Sequence, residues 1–111
     1  METVEITERR RTRSSEPMEA LSLFFAQKRA EANVRAFTLG TRDGRLLAGA
    51  GDDLEDVADL GGLVDRGHVV TRGALRVATW RMKVGTEDVI VTSWGGTLSA
   101  DFADTVRRIL G

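Results

Sequence analysis

Apolar positions along the chain recur with two periods. Between residues 16 and 32, Met18, Leu21, Phe24, Phe25 and Ala32 fall at helical spacings. That pattern predicts an amphipathic helix with Lys28, Arg29 and Glu31 on its outer side. Ser15 suits the N-cap, with Glu16 and Pro17 in the first turn. Leu23 lies off the apolar stripe and is free to face a partner. Residues 34–40 then switch to period two, with Phe37 and Leu39 on one face and Ala36 and Thr38 on the other. Asp43-Gly44 follows, the signature of a two-residue type I′ hairpin turn. Arg45 to Ala50 reads as the return strand. Gly49 and Gly51 near its end predict a bulge or a close approach by another element.

The helical period returns at 53–65. Asp52 or Asp53 is placed to cap this helix, and Glu55 and Asp56 suit its positive end. Leu54, Val57, Ala58, Gly61 and Val64 form one apolar stripe, which Leu60 and Leu63 widen. Gly61-Gly62 either ends the helix early or lets a neighbouring backbone come close. The helix is expected to stop before Gly67. Residues 68–95 read as β structure. His68 to Thr71 is a short candidate strand and Leu75 to Val84 a long one. In the long strand Ala78, Trp80, Met82 and Val84 oppose Thr79, Arg81 and Lys83, while Leu75 and Val77 predict cover on both sides near its start. A turn at Gly85-Thr86-Glu87 leads into Val89 to Trp94, whose apolar character suits a central strand. Ser99 caps a last helix that buries Phe102, Val106, Ile109 and Leu110 and ends at Gly111. The order is helix, strand, strand, helix, two or three strands, helix. That is an α+β domain: a single antiparallel sheet of about five strands with helices packed on it.

Composition narrows the chemistry. The chain has 111 residues, enough for one domain. It has no cysteine, which excludes disulfides, thiolate metal sites and cysteine nucleophiles. His68 is its only histidine, so multi-histidine metal centres are excluded and a histidine triad has little basis. The net charge of -1 gives no whole-domain attraction to nucleic acid or anionic membranes. No apolar run approaches the roughly 18 residues of a membrane helix, and no secretory signal opens the chain. A cytoplasmic location is the compatible expectation. Lys28 and Lys83 are the only lysines among 16 basic residues, an arginine bias that hints at a GC-rich bacterial genome. Residues 1–15 stand apart as a flexible basic tail carrying Arg9, Arg10, Arg11 and Arg13, and 16–111 forms the folded domain. The tail is read as solvated, with docking to an acidic partner as the sharper alternative and a short added strand, from the alternation of Val4 and Ile6 with polar residues, as a third.

The run Ala36 to Gly44 (AFTLGTRDG) leads into Leu46-Leu47-Ala48, between the first helix and the helix 53–65. Together with the closing sheet, it resembles the roadblock family, the dynein light chain roadblock type, over about residues 16–111. The pattern of hydrophobic residue, Asp-Gly turn and small-residue strand is short, and GAF-type and profilin-like domains share it. The resemblance implies a roadblock/profilin-like fold and a non-enzymatic scaffold. It implies a homodimer or heterodimer formed through the second helix and the following strand, here 53–65 and 74–84. It also implies a Ras-like small GTPase as partner. Leu54, Val57, Leu60, Leu63, Val77, Arg76 and Arg81 are the interface residues this reading assigns. Gly61-Gly62 departs from a regular helix–helix contact.

Other chemistry finds little support. Neither GxxxxGK[ST] nor GxGxxG occurs. Asp52, Asp53, Glu55, Asp56 and Asp59 lack the spacing of a calcium loop and read as an acidic helix start. No catalytic, cofactor or metal residue is assigned, and the chain is not read as an enzyme. Trp80 and Trp94 read as core residues. Arg72, Arg76, Arg81 and Lys83 follow the polar side of the sheet, either as a solvated face or as a surface for an acidic partner. The function expected is a dimeric adaptor of small-GTPase signalling. The alternative is a ligand sensor of GAF or PAS type, and nucleic-acid binding through the tail is the weakest reading.

Overall fold

The structure, a computed structural model, describes the backbone of residues 2–32 and 34–111 and the side chains of 16–32 and 34–111. The elements are α1 (Glu2–Ala32), β1 (Ala36–Thr41), β2 (Leu46–Gly51), α2 (Leu54–Asp65), β3 (Thr71–Arg72), β4 (Leu75–Val84), β5 (Glu87–Trp94) and α3 (Ala100–Leu110). The five strands make one antiparallel sheet in the order β2-β1-β5-β4-β3. This is the expected α+β class and the expected element order. β5 lies in the middle, as its apolar sequence requires.

The sheet is covered on both faces. α1 and α3 lie on one, where Leu21, Phe25, Phe37, Leu39, Met82, Val91 and Val106 form the larger core. Phe24, Phe25, Phe37 and Phe102 interlock there with ring centroids 4.9–6.2 Å apart. α2 lies on the other face, where its Val57 packs with Ala36, Val77 and Trp94, with Leu54, Leu60, Val64 and Leu75 at the margin. Alternation in β1 therefore does not separate a wet face from a dry one. Phe37 and Leu39 enter the larger core, while Ala36 and Thr38 are buried under the opposite layer. Leu75 and Val77 have the expected cover from α2.

Five local expectations are corrected. Helical backbone in α1 runs through Pro17 from Glu2 rather than starting at 16. No glycine interrupts 2–16, and its glutamates and arginines are good helix formers. Ala32 is exposed rather than part of the buried stripe, since the chain there is already leaving for β1. The β1–β2 turn is not type I′, because only Gly44 has positive φ (89°) and Asp43 does not. Gly44 N–H donates to the Thr41 carbonyl (3.0 Å) and Thr41 N–H to the Arg45 carbonyl (2.9 Å). That pattern is a type I turn closed by a left-handed glycine, a three-residue loop. The Thr41 hydroxyl bonds the Asp43 carboxylate and accepts from Arg45 N–H, which holds Asp43 in the turn. Asp53 occupies the N-cap of α2 in left-handed backbone (φ 51°) but makes no side-chain cap, because its carboxylate turns to Arg72. Finally, β3 is only Thr71–Arg72. His68 N–H still serves the Leu63 carbonyl at the end of α2 (3.1 Å), so the chain is not yet extended at 68.

The remaining boundaries agree with the sequence to within two residues; β1 starts at Ala36 rather than residue 34, and β5 at Glu87 rather than Val89. β4 spans the predicted Leu75–Val84. Ser99 Oγ accepts from Phe102 N–H (3.1 Å) at the start of α3. The close approach predicted at the end of β2 is made by α1, whose Ser22 Oγ accepts from Gly49 N–H (3.3 Å).

Candidate interaction surface

α2 and β4 come together as the second helix and following strand. Asp65 in the last turn of α2 is bonded bidentately by Arg81 of β4, Nε to Oδ1 at 2.9 Å and the second nitrogen to Oδ2 at 2.7 Å. The Asp65 side chain is only 7% exposed. Arg81 hydrogen bonding and charge hold its carboxyl below the usual aspartate value.

Several residues assigned to an interface are consumed by the chain itself. Val57 is fully buried and Val77 is 3% exposed, both between α2 and the sheet. They hold α2 down and cannot touch a partner in this conformation. Leu54 and Leu60 are half-buried at the margin of the same cluster. Leu63 is half-buried outside it, and Arg76 and Arg81 are exposed. The surface left is Leu54, Leu60, Leu63, Arg76 and Arg81. The side chains of Arg9, Arg10, Arg11 and Arg13 lie outside the described residues.

Side-chain pattern does not reveal the backbone edge of β4, which is its most distinctive feature. Gly95 N–H donates to the Arg76 carbonyl (2.9 Å), and Val77 N–H donates to the Val70 carbonyl (3.0 Å). Successive residues of a strand direct their backbone groups to opposite edges. Arg76, Ala78, Trp80, Met82 and Val84 therefore face β5, and Val77, Thr79, Arg81 and Lys83 face away. β3 pairs only with Leu75 and Arg76. The N–H and C=O groups of Thr79, Arg81 and Lys83 thus have no backbone partner among the described residues. At the β3 end of this edge, Val64, His68, Val69, Val70, Arg76 and Ala78 line a shallow open groove. Val69 is 80% exposed there. His68 is exposed in the loop between α2 and β3.

The arginine row divides by partner. Arg72 is folded over Trp94, its guanidinium 5.0 Å from the ring centroid, and Arg35 covers the ring from 4.9 Å. The Trp94 indole N–H donates to the Arg72 carbonyl (3.0 Å). Asp52 pairs with Arg35, and Asp53 and Asp56 pair with Arg72. The acidic start of α2 is thereby neutralised by arginines around a buried tryptophan. Each pair is substantially exposed, so each stabilises by about 0–1 kcal/mol. Arg76 and Lys83 have no carboxylate partner among the described residues.

Among the described residues, no group of three or more His, Cys, Asp or Glu is arranged to hold a metal ion. No described helix is long and apolar enough to cross a membrane.

No protein-family model and no curated protein sequence matches the chain. Among solved structures the chain is similar to Myxococcus xanthus MglB. The TM-score is 0.42 at 18% identity, over 82% of this chain and 88% of that one.

Proposed function

We propose that this protein is a non-enzymatic adaptor of small-GTPase signalling. It pairs through α2 and the edge of β4 with a second module, in the simplest form a second copy, and presents the assembled surface to a Ras-like GTPase. The open backbone edge of β4, on a strand whose Val77 packs under α2 with the half-exposed Leu60 at the margin, carries this reading. A long unpaired edge strand is a template for association unless something covers it. The resemblance of AFTLGTRDG and its neighbouring elements to the roadblock family supplies the GTPase.

Thr79 gives a direct test. Its N–H points away from β5, so Thr79→Pro removes one outward donor and leaves the β4–β5 ladder intact. Light scattering at micromolar concentration should give twice the chain mass for the wild type and a single chain mass for Thr79→Pro, with unchanged far-ultraviolet circular dichroism. A bacterial Ras-like GTPase should be captured by the wild type in a manner that depends on bound GDP or GTP. A wild-type monomer that captures neither form removes the reading.

A further inference from the structure

The open stretch of the β4 edge has two fixed ends. At one, the Val77 N–H already donates to the Val70 carbonyl (3.0 Å), and β3 pairs with Leu75 and Arg76 beyond it. At the other, Val84 pairs with Glu87 across the Gly85-Thr86 turn, and the chain swings back into β5. Ala78 to Val84 is what remains, and Arg81 is its midpoint. An antiparallel copy of the same strand uses the outward groups of Thr79, Arg81 and Lys83 in full only when the two-fold axis passes through Arg81. Thr79 then faces Lys83 of the second copy, Ala78 faces Val84, and Arg81 faces Arg81. The neighbouring registers fit worse. One sets Lys83 of the second copy against Val77, whose N–H is taken, and the other sets Gly85, already in the turn, against Thr79. The charges on this edge are met within the chain. Lys83 stands across from Asp88 in the β4–β5 register. The two carboxylate oxygens of Asp65 hold the Arg81 guanidinium at 2.9 and 2.7 Å. Without Asp65 the centred register would set bare guanidiniums opposite each other, and like charges directly opposite are destabilising.

We infer that β4 pairs with β4 of a second copy in this single register, with the axis at Arg81, and that Asp65 is the residue that lets Arg81 occupy the axis. This rests on β4 being the pairing edge, and it adds which residues meet and what neutralises them. The Val70 carbonyl and the Gly85-Thr86 turn act as stops at opposite ends, so the two sheets join without sliding. The same register brings the turn of the second copy up to Val69 and Val70, at the groove they share with Val64 and Arg76. Val69 is more exposed than any other large apolar side chain among the described residues, and the second copy's turn supplies its cover. Asp65 thereby serves both the fold and the assembly: it ties α2 to β4 within the chain and removes a charge from the two-fold axis.

The chain has no cysteine, so introduced thiols report the register directly. The full chain is prepared as Ala78→Cys and, separately, as Val84→Cys, and the two are mixed and mildly oxidised. A disulfide-linked dimer should form in the mixture and from neither variant alone, because the centred register makes 78 and 84 a closely spaced, non-hydrogen-bonded pair. A second arm measures the dimer dissociation constant by sedimentation at pH 7. Asp65→Asn should weaken the dimer on the order of five-fold, and added salt should recover part of the loss by screening the paired arginines. Asp65→Asn combined with Arg81→Gln should dimerise more tightly than Asp65→Asn alone. The double variant lacks the same ion pair, so a loss of folding does not produce that recovery. A dimer that Thr79→Pro dissociates but that gives no link between 78 and 84 overturns the register and leaves β4 as the pairing edge. An Asp65→Asn dimer as tight as wild type, or a double variant no tighter than the single one, overturns the role of Asp65. A wild-type chain that stays monomeric removes both the inference and the reading it rests on.

Discussion

Gly61 and Gly62 sit side by side in α2 and meet different surroundings. A Cβ on Gly61 would lie 2.0 Å from Thr92 Oγ1 and 2.9 Å from Thr92 Cβ, in the central strand. A Cβ on Gly62 would find its nearest neighbour, the Arg42 carbonyl oxygen, at an ordinary 3.5 Å. Alanine favours a helix interior over glycine by about 1 kcal/mol. At Gly61 that gain is opposed by overpacking against the buried Thr92 side chain, which costs about 1–3 kcal/mol. Gly61→Ala should therefore lower the urea midpoint, and Gly62→Ala should leave it unchanged or raise it. Thr92→Ala, combined with Gly61→Ala, should recover part of the loss, because Oγ1 and Cγ2 are removed and Cβ remains. Equal effects of the two alanines would show that α2 does not rest on β5 as described. The sequence posed this pair as a helix end or a close approach, and it could not choose between them. The choice depends on Thr92, which is 31 residues beyond Gly61 and adjacent only through the fold.

At the scale of elements, legibility followed the range of the forces involved. β4, β5, α2 and α3 were readable because period and caps are local. The β1–β2 turn was placed correctly and its type was not. Asp-Gly favours type I′ alone, but the Thr41 hydroxyl bonding to Asp43 and Arg45 tips the loop to a three-residue form. The cap of α2 failed for a similar reason, since Arg72 competes for Asp53 with the helix amides. The tie between α2 and β4 was invisible because Asp65 and Arg81 lie sixteen residues apart. That tie has a measurable pH signature. Arg81 depresses the Asp65 pKa in the folded state, so its stabilisation is present above the unfolded value near 3.8 and is lost as pH falls through the folded value. Asp65→Asn should be less stable than wild type at pH 7, and the gap should close as pH drops below about 3.8. Arg81→Ala should cost more than Asp65→Asn at pH 7, since it leaves a nearly buried carboxylate without its cation. A gap between Asp65→Asn and wild type that stays constant down to pH 2 would contradict the ion pair.

The whole molecule is a sheet clamped between unequal layers, and its candidate surface lies where that clamping ends. β1 and β5 are paired on both edges and covered on both faces, whereas β3 is held by two register pairs and β4 is open beyond them. Local opening follows this gradient, because strands with few buried contacts and solvent-exposed hydrogen bonds open at low free energy. Under native conditions the amides of Leu39, Val91 and Thr92 should exchange only through global unfolding, with protection that tracks the stability measured by denaturant. The amides of Thr79, Arg81 and Lys83 should exchange fastest within β4, since they face solvent at the open edge, while Trp80 and Met82 remain protected by β5. This alternation along a single strand separates an open edge from a covered one. Protection of Thr79, Arg81 and Lys83 in the isolated chain at low concentration would mean that something already pairs with them. Protection that appears only as concentration rises would identify a second copy as the cover.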